Sequence, residues 1–482
     1  MSDPTAIQMP NRNPLVMAVP STVLPVGRSI KHAIVIGASI GGLCAARVLS
    51  DFYDRVTVYE RDELPEGPVN RAAVPQGRHV HLLMARGAQE FEAHFGGLLD
   101  DMVANGVPIL ENRPDCIHFG AAGHVLGTHH RLQDEFTAYV PSRPQLEWQL
   151  RRRVKAIDNV DFVRDTVIEP RFDSARQRVT GVVLESGVVD ADLVVDAAGR
   201  GTRLPVWLAQ WGFERPREDT VDVGIGYATH QLRIPDGLIA EKVIVAGASR
   251  QQPLGLGMLY YEDCSWGLTT FGVAKVEPPH DFAAMCALAD QILPQHVAAA
   301  VRQGEPIGDV AFHKYPTSRW RRYDKLDRFP DGIIAFGDAV VSFNPTFGQG
   351  MTMTSLQAGH LRRALEVPGA DLACEFYRAT AKTTYPVWTM NAIGDLVLHR
   401  ATGPMPWWYR PVGGLFDQFL GAAETDPVLA EWFLRRFSLL DSLYMVPSAR
   451  LVGRTVRHNM RLWLTQKRGR PTAAPAAAGT VG

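Results

Sequence analysis

The distribution of apolar and polar positions divides the chain into stretches of different period. The first apolar run, Ala33 to Ile36, is short and unbroken, the pattern of a strand buried on both faces of a parallel sheet. After a glycine turn, Leu43, Ala46, Val48 and Leu49 recur at helical spacing together with the aliphatic stem of Arg47, and Val56 to Tyr59 forms the next strand. These three pieces make a βαβ unit. From Arg151 to about Asp196 short strands alternate with turn residues and end in the apolar run Asp192 to Val195, which reads as a sheet appended to the first. Residues 213 to about 330 alternate β-rich stretches (Val221 to His230, Lys242 to Ala246, Trp266 to Val273) with one helical stretch, Asp281 to Arg302. Ile333 to Phe336 is another buried strand, Gly350 to Arg363 has helical spacing, and from 371 onward the pattern is helical.

The expected organisation is a loose arm over 1–30, a first domain over 31–212, a second, substrate-facing domain over 213–330, a return to the first domain over 331–370, a helical region over 371–470 and a disordered tail over 471–482. The arm carries prolines and no apolar run long enough for a signal peptide, and the tail, rich in alanine, proline and glycine, has the composition of solvated chain.

Composition narrows the classes of function. With 50 Lys and Arg against 51 Asp and Glu and no long block of one sign, no phosphate-tracking surface is advertised, so nucleic acid is not an expected partner. Five scattered cysteines without a CxxC pair point to neither a disulfide framework nor a zinc site and suit a reducing cytoplasm.

Three segments carry chemistry. In the first, Gly37-Ala38-Ser39-Ile40-Gly41-Gly42 lies between strand and helix, and Glu60 ends the next strand. Gly37 permits the tight turn, Gly42 lets helix and strand pack closely, and the free N–H groups of the helix N-terminus favour a pyrophosphate. Glu60 would take the ribose hydroxyls of a dinucleotide. Ser39 replaces the middle glycine of the GxGxxG pattern and narrows the approach of backbone to phosphate. Glu60 rather than arginine speaks against an NADP phosphate here but does not separate NAD from FAD.

The second segment is Gly337-Asp338-Ala339, followed by Asn344-Pro345 and Gly348-Gln349-Gly350-Met351. A carboxylate at a strand end can hold ribityl hydroxyls, and a helix starting near Gly350 would aim its positive end at a flavin pyrimidine ring, stabilising the reduced anion. The glycines keep side chains off the ring and Pro345 fixes the loop. An ordinary strand-turn-helix with an N-cap Asp is the alternative. In the third segment, Arg71 to Leu83 (RAAVPQGRHVHLL), Arg71 and Gln76 are candidate cofactor contacts, as is Arg143 at the start of a helix over Pro144 to Val154. His79 and His81 alternate and would share one face of a strand; without Cys or carboxylate at ligand spacing, a flavin-edge or core role is expected and no metal.

At this point the sequence resembles the FAD-dependent monooxygenases of the aromatic-hydroxylase superfamily, and more closely the bacterial flavin epoxidases of polyether biosynthesis. The resemblance spans about residues 30 to 365 and rests on GASIGGL, RAAVPQGRHVHLL, SRPQLEWQL, DLVVDAAGRGTRLPVWL and PDGIIAFGDAVVSFNPTFGQGM in that order. It implies an α/β fold: a Rossmann-like FAD-binding domain of the GR2 type, a β-sheet substrate domain and a helical C-terminal region. It further implies that Gly37, Ser39, Gly42, Glu60, Arg61, Arg71, Arg143 and Asp338 contact the cofactor and that Pro345 to Met351 border the isoalloxazine, where Pro345, Gly348 and Gly350 would shape the oxygen site. The chemistry implied is transfer of one oxygen atom from a flavin C4a-hydroperoxide to an electron-rich carbon of an apolar natural-product-like substrate, most simply alkene epoxidation in secondary metabolite biosynthesis.

One departure bears on the reductant. The chain reads Asp196-Ala197-Ala198-Gly199-Arg200-Gly201, with Ala198 where aromatic hydroxylases carry an acid for joint FAD and NAD(P)H contacts, so NAD(P)H acts directly or through a separate flavin reductase. The alternatives held open are ring hydroxylation, a geranylgeranyl-reductase-like reduction of isoprenoid double bonds, and a non-catalytic flavoprotein or hydrophobic-ligand carrier. The tryptophan motif WxWxIP of flavin halogenases is absent. Arg203, Trp207, Tyr260, Tyr261 and Trp266 are read as packing. The stretch from Arg450 to Arg470 combines arginines with Val452, Val456, Met460 and Trp463, an apolar stripe beside a basic face. A helix docked on its own domain is the expected reading, and a membrane-surface helix is its competitor.

Overall fold

The structure is a computed structural model that describes residues 30–71, 74–111, 116–128, 137–442 and 448–468. Of the segments singled out above, most of the arm, Ala72 and Ala73, and the tail lie outside the described residues.

The βαβ unit forms where the apolar periods place it. His32–Ile36 pairs in parallel with Arg55–Glu60 on one side and Leu193–Asp196 on the other, and Val160–Arg164 and Ile333–Ala335 complete a five-stranded parallel sheet. Ala33, Ile34, Val35, Val194 and Val195 are fully enclosed, as expected for strands covered by helices on both faces. The first helix, Ile40–Leu49, and the return helix, Gly350–Leu365, pack on each other, and Arg143–Lys155 packs on the first helix. A three-stranded antiparallel sheet, Val188–Asp190, Arg178–Leu184 and Val167–Asp173, forms the appendage the sequence announces.

The second sheet has eight strands, centred on Glu218–Arg233, Trp266–Gly272 and Glu305–Arg321, with Leu254–Tyr260 and Val243–Ala246 beyond them. Ile117–Ala121 and His124–Val125, from much earlier in the chain, extend it at one edge. Two features depart from expectation. The single helical stretch Asp281 to Arg302 is two helices, Phe282–Ile292 and Gln295–Arg302, because Pro294 forces Leu293 into extended backbone. The 17-residue strand Glu305–Arg321 carries prolines and charges that hide its period, and its pairing with Glu218–Arg233 is interrupted by register shifts at two points.

The C-terminal region is helical: Leu372–Ile393, a π-helical turn over Gly394–Leu398, Tyr409–Ala423, Pro427–Phe437 and Ala449–Arg468. No helix among the described residues is long and apolar enough to cross a membrane. Trp207, Tyr261 and Trp266 are buried, and the Arg203 guanidinium lies 5.7 Å from the Trp207 ring centre.

Candidate active site

The site forms at the C-terminal edge of the parallel sheet, where four strand ends deliver polar groups. At the first, Gly37 takes φ +97° and donates its amide to Tyr59 O at 2.8 Å, closing the turn. A Cβ on Gly42 would lie 1.8 Å from Gly37 O, so only glycine lets the helix start this close to the strand. Gly41 is different: a Cβ there would meet its neighbours at ordinary distances of 3.9 Å and more. Ser39 occupies the N-cap in extended backbone, its side chain making no capping bond, and Ile40 is buried beneath it.

Glu60 ends the second strand and turns back onto this helix start. Its Oε2 accepts the Ala38 amide at 2.9 Å and lies 2.7 Å from the Arg71 guanidinium, while Oε1 accepts the Asp62 amide at 3.2 Å. Burial opposes ionisation of Glu60, but the Ala38 amide and Arg71 outweigh it and hold the carboxyl below its ordinary range. A carboxylate has about four lone-pair sites, and these three partners leave one for a ribose hydroxyl. Arg71 is itself buried, bridging Glu60 to Glu147 at 2.9 Å and donating to Ala38 O at 3.3 Å. Arg61 points away, exposed beside Asp62 at 3.8 Å, and Gln76 lies half-buried in the 3-10 turn Pro75–Arg78.

Arg143 opens its helix under the N-cap of Ser142, whose hydroxyl accepts the Gln145 amide. It is buried, reaches Glu147 at 3.3 Å and keeps its Nε without a partner. Asp338 follows Gly337, whose amide is fixed by Gln357 Oε1 at 2.8 Å. Burial pushes the Asp338 carboxyl up against the pull of Arg200, Arg143 and Arg321, and its oxygens accept no hydrogen bond among the described residues. Pro345–Phe347 forms a 3-10 turn ended by Gly348 at φ +68°, and Gly350 begins the return helix with nothing within 4 Å of where its Cβ would stand. Met351 is buried behind it.

The structure therefore gathers Gly37, Ser39, Ile40, Gly41, Gly42, Glu60, Arg71, Arg143, Gly337 and Asp338 on one sheet edge, and leaves Arg61 outside. A partnerless guanidinium nitrogen on Arg143, a carboxylate on Asp338 without a donor, one spare acceptor on Glu60 and open space at Gly350 match the diphosphate, ribityl, ribose and ring parts of FAD in turn. These residues fit the cofactor.

Several contacts of residues named in the sequence could not be read from it. Asn344 donates from Nδ2 to the buried Asp395 at 2.7 Å and accepts the Thr346 amide at 2.9 Å, so the π-helical turn beyond Leu372–Ile393 clamps the loop at Pro345. Gln349 donates to Phe437 O at 3.2 Å, a second tie to the C-terminal region. Arg200 stacks 4.0 Å over Tyr315 and donates to Thr317 O at 3.0 Å. Beyond it, on the large sheet, Tyr227 lies 5.4 Å from His313 and 4.4 Å from His79, whose Nδ1 is 2.7 Å from Thr229 Oγ1. The two histidines of the third segment do not share a strand face: the 3-10 turn places His79 against Thr229, whereas His81 folds back to His79 O at 2.9 Å. Burial holds both imidazoles neutral, lowering His79 to about 3 and His81 to about 4. Asp196 is absorbed by its own turn, accepting the Ala198 amide at 3.0 Å and the Thr202 hydroxyl. Asn344, Gln349, Arg200 and His79 lie in segments the sequence singles out, whereas nothing in it marked Tyr227, His313 or Asp395.

The chain is similar to solved structures of this architecture. The flavin-dependent brominase Bmp2 superposes with a TM-score of 0.59 at 14% identity, covering 91% of this chain and 100% of that one. PqsL, a probable FAD-dependent monooxygenase from Pseudomonas aeruginosa, superposes at 0.55 with 16% identity, covering 80% of this chain and 99% of that one. At such identities the likeness shows the fold, that of the FAD-dependent monooxygenases. Residues 403–469 match the family described as the Mycobacterium Rv3254 C-terminal domain. Protein Rv3254 of Mycobacterium tuberculosis (strain ATCC 25618 / H37Rv) is 70% identical over 460 residues, covering 92% of this chain and 97% of that protein. With agreement of that depth over nearly both full lengths, the chain belongs to the Rv3254 family.

Proposed function

We propose that this protein is an FAD-dependent monooxygenase that places one atom of molecular oxygen in a sizeable apolar, natural-product-like substrate, as an epoxide, while the other leaves as water. The observation that carries this reading is Asp338: a half-buried carboxylate that accepts no hydrogen bond among the described residues, under the pull of Arg143 and Arg200 at the strand end beside an open helix N-terminus. Desolvation at this strand end raises the carboxyl, and the hydroxyls of a polyol would supply it with donors. When bound, FAD supplies the redox chemistry that activates oxygen.

The chain's own groups bind, orient and exclude water. The N–H groups opening Ile40–Leu49 and the Arg143 guanidinium take the diphosphate, Glu60 a ribose hydroxyl, and Asp338 the ribityl chain. Asp395 holds Asn344, and with it the turn at Pro345, so that the N-terminus of Gly350–Leu365 keeps its aim. Tyr227, Tyr315 and the neutral imidazoles of His79 and His313 present an aromatic face of the large sheet, with the Arg200 guanidinium stacked on Tyr315, which suits a largely apolar guest. Ala198, and Asp196 spent on its own turn, offer no free acid for a nicotinamide, which favours electrons delivered by a separate flavin reductase.

A second reading, ring hydroxylation, has one observation in its favour: the neutral imidazoles of His79 and His313 could accept a hydrogen bond from a phenolic hydroxyl and orient the ring. Incubating the FAD-loaded protein with a flavin reductase, NADH, oxygen-18 and a panel of alkenes and phenols separates the possibilities by product mass. Oxygen-18 in an alkene product supports epoxidation, label in a phenol supports hydroxylation, and turnover that continues without oxygen overturns both.

A further inference from the structure

The C-terminal helix Ala449–Arg468 docks on the protein by an unexpected side. Arg454 pairs with Asp426 at 2.7 Å, Asn459 donates to Gln418 Oε1 at 3.1 Å, and Leu451 packs onto the cluster around Phe433 and Leu434. The docked face is therefore built largely from polar side chains. The apolar residues point the other way: Val452, Val456, Met460, Trp463 and Leu464 are between 44% and 59% exposed. Their spacing, i, i+4, i+8, i+11 and i+12, puts them on one stripe.

The neighbouring helix Tyr409–Ala423 continues this surface. Leu415 is 71% exposed and Trp407, just before the helix, 85%. Gln418, on the same outward side as Leu415, is the residue that Asn459 grips. Leu415 and the apolar stripe of Ala449–Arg468 thus flank one contact, and Val452, Val456 and Met460 are about half exposed.

Charge distinguishes the possible occupants. The helix Ala449–Arg468 carries six Lys and Arg and no Asp or Glu, in a chain whose net charge is -1. Successive residues advance by about 100°, which places Arg450, Arg457 and Arg461 in the sector next to the apolar stripe. All three are exposed, as is Arg410 beside Trp407. Of the nearby acids, Asp426 is paired with Arg454, and Asp417 and Glu424 contact His124 at 3.2 and 2.7 Å while staying 43% exposed. A second copy of the chain would bring the same positive strip against this one, whereas a bilayer surface rich in anionic lipid takes both the stripe and the strip at once.

We propose that the outward faces of Ala449–Arg468 and Tyr409–Ala423 form a docking surface for an anionic lipid bilayer, with Val452, Val456, Met460, Leu464 and Leu415 entering the headgroup region. The inference stands on these two helices and does not depend on the oxygenase reading.

Flotation of the full chain with vesicles of equal phosphatidylglycerol and phosphatidylcholine tests it. The protein should float with them at low salt, and partitioning should fall about tenfold or more with pure phosphatidylcholine or at high salt. Val456→Asp with Met460→Asp should abolish flotation while the melting temperature is kept, since both side chains are already in solvent. Arg450→Glu with Arg457→Glu should weaken it about tenfold or more, a second variant that leaves the apolar stripe whole. Failure of the parent protein to float at low salt, or flotation unchanged in both variants, overturns the proposal. So does a dimer in sedimentation velocity that the Asp double variant splits, because a second copy would then cover the stripe.

Discussion

The two strand-to-helix turns of the parallel sheet, one after His32–Ile36 and one after Ile333–Ala335, look alike in sequence and are built to different ends. At the first, glycine is demanded by the chain itself: a side chain on Gly42 would collide with Gly37 O, and Glu60, Arg71 and Glu147 are already tied to one another before any ligand arrives. At the second, the glycine opening the helix has empty space around it, and the carboxylate of Asp338 has no donor. The first turn is a packed and largely satisfied structure with one spare acceptor. The second is an opening that a ligand would complete. A turn of the first kind contributes mainly to stability, and one of the second kind mainly to binding.

The contrast breaks if the two glycines respond alike. Gly42→Ala should be the most damaging change, because the clash is with backbone that cannot rotate away; a loss of about 3 kcal/mol or more is expected in a urea melt. A loss below about 1 kcal/mol would show that the two turns are not packed differently. Asp338→Asn comes next and sharpens the contrast through pH. The folded carboxyl is raised above its unfolded value of about 4, so its ionisation opposes folding above that range and costs nothing well below it. Without FAD, the variant should melt higher than the parent at pH 7, and the gain should shrink toward pH 4. With FAD the order should reverse, since the variant accepts the ribityl hydroxyls less well. Equal melting curves at pH 7 would mean that the carboxylate is already satisfied. The smallest stability effect is expected for Gly350→Ala, within about 0.5 kcal/mol of the parent, together with weaker FAD binding in a fluorescence titration. Unchanged FAD affinity would place the ring elsewhere.

What the sequence determined by itself is local. The apolar run at Ala33, the glycines from Gly37 to Gly42 and the acid at Glu60 define a βαβ unit because period, punctuation and strand-end chemistry lie within about thirty residues of each other. Asp338 and the glycine-rich stretch after it were legible for the same reason. Tertiary structure decided what lies far apart in the chain: that Asp395 clamps Asn344, that Arg200 joins Tyr315 to the sheet edge, and that His79 meets Tyr227 and His313. It also decided which side of the last helix faces inward. The stripe of Val452, Val456 and Met460 could be read from its period, but a period marks a face without naming its neighbour, and here the salt bridge to Asp426 and the contact with Gln418 turned the apolar face outward.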